Sequence, residues 1–290
     1  VAPDNILATA GADEAIDRLC RALLNPGDTL LTHTPSFEMI PRYAALAGAE
    51  TRALPWPSGP FPTAAFINEL TPDTPLAAIV TPNNPTGATV PLADLLSTAD
   101  RAAENNTLLL VDLAYVEFAD APDPTRALLS RPNVAITRTL SKCFGLAGAR
   151  VGFLIASPDL IELARAAAGP FSVAAPSIAV ATAALRADPS ASREYIKRIR
   201  FERERLTSLL NRLGAEALPS QANFVFARTP RAQAIRNLLL SRGISIRAFP
   251  SILSLSDALR ITCPGNDPDF TRLTEALRFA GAAASENPAP

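Results

Sequence analysis

The chain has 290 residues, with 27 Lys plus Arg against 28 Asp plus Glu, a net charge of -1 and a sequence pI near 6.0; a balance this neutral argues against a nucleic-acid or membrane-surface partner. At 48% hydrophobic and 19% charged it has the composition of an ordinary soluble protein, long enough for two domains. Cys20, Cys143 and Cys263 are odd in number and far apart, and His33 is the only histidine, so no disulfide framework, metal site or Ser-His-Asp triad is expected, and the cysteine usage favours the reducing cytoplasm.

The opening, "VAPDNILATAGADEAIDRL", has no starting Met and enters a helical pattern almost at once, as a fragment of a longer chain would. No apolar run approaches the length of a membrane span, and no signal segment opens the chain. From about residue 29 to 156, apolar runs ("TLLT", "LAAIVT", "TLLLVD", "VAIT", "VGFLIA") alternate with amphipathic stretches such as "FEMIPRYAALAGA" and "PLADLLSTADRAAE". That alternation predicts βαβ units and an α/β domain built on a mostly parallel sheet. Ligands in such sheets collect beyond the carboxyl ends of the strands, where Asn83, Asn84, Asp112 and, a little later, Lys142 fall. A long charged helix, "SREYIKRIRFERERLTSLLNRLG", follows, then "NFVFAR", a helix near 231–241, "GISIRA", "ALRIT" and a last helix near 267–280. These read as a smaller α+β domain. The expected division is 1–180 for the large domain, 181–280 for the small one and 281–290 for a frayed tail.

Lys142 and Lys197 are the only lysines, so arginine supplies every other fixed side-chain cation. A guanidinium is never deprotonated and cannot attack a carbonyl, whereas a lysine amine can. Lys197, inside "REYIKRIRFERER", reads as part of the solvated face of a charged helix. Lys142, inside "TLSKCFGLAGAR", has small, apolar or hydroxylic neighbours and two following glycines, which read as a buried loop with close backbone approach. It is the candidate catalytic amine.

Alone, "TPNNPTG" at 81–87 is a turn, and in "VDLAYVEF" Asp112 could cap a helix and Tyr115 could simply pack. In this order with "TLSKCFGLAGAR" they resemble the fold-type I aminotransferases of class I/II, which use pyridoxal 5′-phosphate, and the likeness runs over about residues 10–280. Within that group "GADEAI", "TPNNPTG", "RTLSKCFGLAGARVGF", "GISIRA" and "ALRIT" look most like stretches of the histidinol-phosphate aminotransferases; threonine-phosphate decarboxylases share much of the pattern. The resemblance implies a homodimer with active sites near the subunit interface, and an amino donor and a 2-oxo acid as substrates.

Carried onto the matching positions, the resemblance implies that Lys142 holds the cofactor covalently and moves the substrate proton, and that Asp112 pairs with the pyridine nitrogen. Asn84 and Tyr115 would hydrogen-bond the ring's 3′ oxygen, and Phe37 would lie on the ring face where many relatives carry Tyr. Gly11, Ala12 and Asp13 through backbone N–H groups, with Thr139, Ser141 and Arg150, would hold the phosphate. A helix start suits a phosphate, although Asp13 and Glu14 are also favourable first-turn residues in a helix that binds nothing. Arg260 and Arg247 would grip the substrate's anionic groups.

The expected reaction is amino transfer between histidinol phosphate and 2-oxoglutarate. Two alternatives stand beside it: decarboxylation of threonine phosphate on the same cofactor cradle, and a truncated, inactive remnant. The second is motivated by the N-terminal segment that family members carry, which completes the small domain and supplies a tyrosine to the partner subunit's cofactor phosphate. A dinucleotide-binding oxidoreductase is disfavoured because no G-x-G-x-x-G follows the first strand.

Overall fold

The computed structural model describes residues 1–286, with side chains through residue 281. Its contacts divide the chain into two units, Val1–Asn84 with Thr89–Pro189, and Pro85–Ala88 with the chain from Ser190 on.

In the first unit, β1 (Ile6–Thr9), β2 (Thr29–Thr34), β3 (Glu50–Pro55), β4 (Leu76–Val80), β5 (Leu108–Asp112), β6 (Val134–Thr139) and β7 (Gly152–Ile155) form one sheet, in the order β1-β7-β6-β5-β4-β2-β3. Strands β2 to β6 pair in parallel, and β7 runs antiparallel to both β6 and β1. Every residue of β4 and β5 is buried, as a central parallel strand covered on both faces requires. The sheet is flanked by α1 (Gly11–Leu23), α2 (Met39–Leu46), α3 (Thr63–Asn68), α4 (Leu92–Glu104), α5 (Thr125–Leu128), α6 (Pro158–Ala166) and α7 (Ala175–Arg186). Helix α1 buries Ala15, Ile16, Leu19 and Cys20 along one stripe, packed in a core with Leu30, Leu110 and Leu154.

The two strands without a signal in the sequence, β1 and β3, are the edges of this sheet. β1 alternates exposed and buried residues, and all but one residue of β3 is exposed. An edge strand lacks a neighbour on one side and needs no continuous apolar run.

Gly152 brings β7 against the start of α1. A Cβ there would lie 2.5 Å from the Gly11 carbonyl carbon, 2.6 Å from the Ala12 nitrogen and 2.7 Å from the Arg138 oxygen. All three are backbone atoms, so no side-chain rotation relieves the clash.

The second unit contains α8 (Ser190–Arg212), β8 (Glu216–Ala217), β9 (Phe224–Arg228), α9 (Ala232–Leu240), β10 (Arg247–Ala248), β11 (Ala258–Thr262) and α10 (Asp267–Glu286). Its sheet, β10-β11-β9-β8, is antiparallel throughout. The strand expected over "GISIRA" is reduced to its last two residues. On α8 the fully buried Glu202 accepts from Arg198 Nε at 2.7 Å and from the Gly265 N–H at 2.8 Å, which fixes the loop after β11. Lys197 is 75% exposed and sits 3.7 Å from Glu194. Helix α10 runs beyond 280 to Glu286; of the tail expected over 281–290, the last four positions lie outside the described residues. Among the described residues no helix is long and apolar enough to cross a membrane, and no group of three or more His, Cys, Asp and Glu could hold a metal ion.

Candidate functional site

The first unit holds a cavity of ≈ 200 Å³ lined by Ala12, Asp13, Phe37, Asn84, Asp112, Ala114, Tyr115, Thr139, Ser141, Lys142 and Arg150. They arrive from separate parts of the chain. Ala12 and Asp13 open α1, Asn84 follows β4, and Asp112 ends β5 with Ala114 and Tyr115 just beyond it. Thr139 ends β6 and leads into Ser141 and Lys142. Because β4, β5 and β6 are parallel, their carboxyl ends meet at one edge of the sheet, where an open α/β sheet gathers its ligand.

Asp112 is 4% exposed. Thr137 Oγ1 donates to its Oδ1 at 2.8 Å, and the Ala114 N–H also donates to the carboxylate. Burial outweighs these donors and pushes the carboxyl up to about 6 from an ordinary 3.8, with Lys142 pulling weakly the other way. Without cofactor, the native state therefore holds a proton on Asp112 that the unfolded chain has released between pH 3.8 and about 6. Stability falls as pH rises through that window, by roughly 3 kcal/mol in all. Denaturant midpoints of the cofactor-free protein at pH 5 and pH 7.5 should show wild type losing stability relative to Asp112→Asn; parallel pH dependences would contradict this.

Lys142 Nζ lies 5.2 Å from the centre of the Tyr115 ring, a contact favourable to its cation. Thr139 Oγ1 and Ser141 Oγ are 2.9 Å apart, and the Ser141 N–H donates to Thr139 Oγ1 at 3.1 Å. Arg150 Nη2 donates to Asp13 Oδ2 at 2.7 Å, with both side chains more than a third exposed. That pair brings the arginine to the first turn of α1, whose leading N–H groups have no intrahelical acceptor. Phe37 packs against the core beneath, and Asn83, beside Asn84, donates to the Pro35 carbonyl at 2.9 Å.

The fold thus brings together all but one of the first-unit residues expected at the site. Gly11 is not in the cavity wall, but it adopts φ +82°, and a Cβ there would come within 2.8 Å of Arg150 Nη2, so the lack of a side chain admits the guanidinium to the helix start. Arg247 and Arg260 belong to the second unit. Ala114 lines the cavity and supplies a donor to Asp112; a backbone N–H at a small residue leaves no mark in the sequence. His33 is a core residue, 1% exposed, with Nε2 accepting the Val80 N–H at 3.2 Å and its edge against Trp56 and Phe61. Burial lowers its imidazole to about 3, so it stays neutral.

This donor set suits pyridoxal 5′-phosphate. It offers a buried carboxyl of raised pKa for a basic ring nitrogen, a lysine amine for an aldehyde, and a helix start with two hydroxyls and an arginine for a phosphate.

The family model "Aminotransferase class I and II" matches residues 1–277. A histidinol-phosphate aminotransferase of Xanthomonas euvesicatoria pv. vesicatoria is 37% identical over 286 residues, which are 96% of this chain and 78% of the relative. One from Staphylococcus epidermidis is 36% identical over 249 residues, 85% of this chain and 70% of the relative. Among solved structures, histidinol-phosphate aminotransferase from Sinorhizobium meliloti in complex with pyridoxal-5'-phosphate superposes with a TM-score of 0.89 at 28% identity, covering 98% of this chain and 78% of that one. N-Succinyldiaminopimelate aminotransferase from Mycobacterium tuberculosis superposes with a TM-score of 0.82 at 25% identity, covering 96% and 77%.

Proposed function

The chain belongs to the aminotransferase class I and II family and is a pyridoxal 5′-phosphate-dependent transferase; from that premise we propose that it moves the amino group of histidinol phosphate to 2-oxoglutarate. Relatives at 36–37% identity that carry the histidinol-phosphate aminotransferase name support the amino donor. The observation that carries the substrate class is the arginine pair of the second unit. Arg247 on β10 is the register partner of Arg260 on β11, so both project from one face of that sheet. Arg260 lies over the Phe224 ring with its guanidinium carbon 5.2 Å from the ring centre, and Arg247 over Phe249 at 5.6 Å. Two guanidinium groups on one face offer forked donors to an anion, suited to a phosphate in one half-reaction and a carboxylate in the other.

In this reading Asp112 holds the proton of the cofactor's ring nitrogen, and Asn84 and Tyr115 orient the ring's 3′ oxygen. Phe37 covers one ring face. Thr139, Ser141, Arg150 and the N–H groups at Gly11, Ala12 and Asp13 hold the phosphate. When bound, pyridoxal 5′-phosphate supplies an electron-poor ring that accepts the electron pair left at the substrate's Cα. Lys142 Nζ would anchor the cofactor and, as a free amine, would take the proton from the substrate's Cα. Arg260, helped by Arg247, would bind the substrate's anionic end.

Steady-state kinetics test the assignment. Arg260→Ala should lower kcat/KM for histidinol phosphate by roughly 10- to 100-fold, the worth of hydrogen bonds to a charged group, with Arg247→Ala falling less. With threonine phosphate as substrate, carbon dioxide released without an oxo product would move the reading to phosphothreonine decarboxylation. The protein is further proposed to act as a homodimer. Phe171, 97% exposed, and Ile178, Val180 and Leu185 leave apolar surface on the first unit that a second copy could cover. Sedimentation velocity should give the dimer mass; a monomer at every concentration would contradict it.

A further inference from the structure

We propose that Arg138, on the side of β6 away from the cavity, is a positioning residue for the cofactor site: it ties the segment carrying Tyr115 to the strand that leads into Thr139, Ser141 and Lys142. The inference rests on the reading of that cavity as the cofactor site.

Side chains alternate along a strand. On β6, Thr137 reaches Asp112 and Thr139 lines the cavity, so Arg138 between them points to the other face. There its Nη2 donates to Glu117 Oε1 at 2.7 Å, and its Nη1 donates to Asp123 Oδ2 at 2.7 Å and Thr125 Oγ1 at 3.2 Å. Glu117 lies in the 3-10 turn Val116–Phe118, which begins directly after Tyr115. Asp123 in turn accepts the Thr125 N–H at 2.9 Å. One guanidinium therefore grips the loop that follows β5 at two points, Glu117 and Asp123. Main-chain pairing carries this junction as far as Leu113, whose N–H donates to the Thr137 carbonyl at 3.0 Å, and the Arg138 contacts lie beyond it.

The Arg138 and Glu117 side chains are each only 15% exposed, so this pair is little screened by water, unlike a surface ion pair. The cluster also borders the lysine segment. Burial raises the Cys143 thiol, next to Lys142, to about 11, with Glu117 adding to the rise and Arg138 opposing it. Without the guanidinium, Glu117 and Asp123 would stand as two carboxylates around an absent cation. The tie between β6 and the turn after Tyr115 would be lost. Arg138 touches neither substrate nor cofactor; it sets where Tyr115 stands relative to Lys142.

The test compares wild type, Arg138→Met, Arg138→Lys and Glu117→Gln in the full chain. The readouts are the dissociation constant for pyridoxal 5′-phosphate by equilibrium dialysis and the thermal midpoint of the cofactor-free protein. The expected result is at least about fivefold weaker cofactor binding in Arg138→Met, within the range of coupling between contacting residues, with Arg138→Lys recovering most of it. A lower thermal midpoint with a dissociation constant less than fivefold changed would overturn the proposal, because a purely structural residue gives that pattern. If Arg138→Met does not fold, Glu117→Gln decides: binding weaker by about twofold or more supports the proposal, and a smaller change overturns it. Wild type that does not bind the cofactor would remove the cavity reading together with this inference; wild type that binds while the variants bind equally well removes this inference alone.

Discussion

Lys142→Ala is expected to lower amino transfer by at least roughly 10⁴-fold, the upper end of what one positioned base contributes, because in the proposed mechanism the residue serves as both anchor and base. Lys142→Arg should fare no better. Arginine keeps the charge beside Tyr115 but cannot attack an aldehyde or accept a proton near neutral pH. The measurement is single-turnover conversion of histidinol phosphate, which separates chemistry from binding. Retention of more than a few per cent of wild-type turnover in either variant would remove Lys142 from the mechanism. Lys197, the other lysine, is an exposed residue of α8.

Asp112→Asn carries the second large effect. Asparagine keeps the shape, and its amide oxygen can still accept from Thr137 Oγ1. It cannot stabilise a proton on the cofactor's ring nitrogen by charge. A neutral ring is a poorer acceptor for the electron pair at Cα, so turnover should fall on the order of 10²- to 10³-fold, comparable to removing one preorganised electrostatic contact. The cofactor-free variant should meanwhile be the more stable protein above pH 6, since the buried carboxylate is the group that burial disfavours. Loss of turnover with a gain in cofactor-free stability distinguishes a functional carboxylate from a structural one. If turnover falls less than tenfold, Asp112 does not carry this role.

Much of the first unit was legible in the sequence. "LAAIV" and "LLLVD" announced themselves as buried parallel strands because both faces of β4 and β5 are covered, and the cavity-lining residues Asn84, Asp112 and Tyr115 follow at their carboxyl ends. The lysine stood out for a different reason, as one of two in a chain that otherwise uses arginine. Other features depend on partners far along the chain. β1 is a strand because residues 6–9 pair with 152–155, and nothing local in "ILAT" marks that pairing. Gly152 sits in a strand pattern, and its need for an absent side chain appears only when the start of α1 arrives against it. Arg138 is one arginine among many until Glu117 and Asp123 close on it. The facing of Arg247 and Arg260 is a matter of register between two short strands, which the motif likeness to "GISIRA" and "ALRIT" named residue by residue but could not show as a pair.

The most direct test of the account uses the scarcity of lysine. The purified chain is incubated with pyridoxal 5′-phosphate, reduced with borohydride, digested, and its labelled peptides are sequenced by mass spectrometry. Label confined to the peptide that contains Lys142 is the predicted result, since Lys142 lies in the cavity wall and Lys197 on a solvated helix. Label on Lys197 to an equal or greater extent, or no stable label on Lys142, would contradict the claim that this cavity is where the cofactor is held.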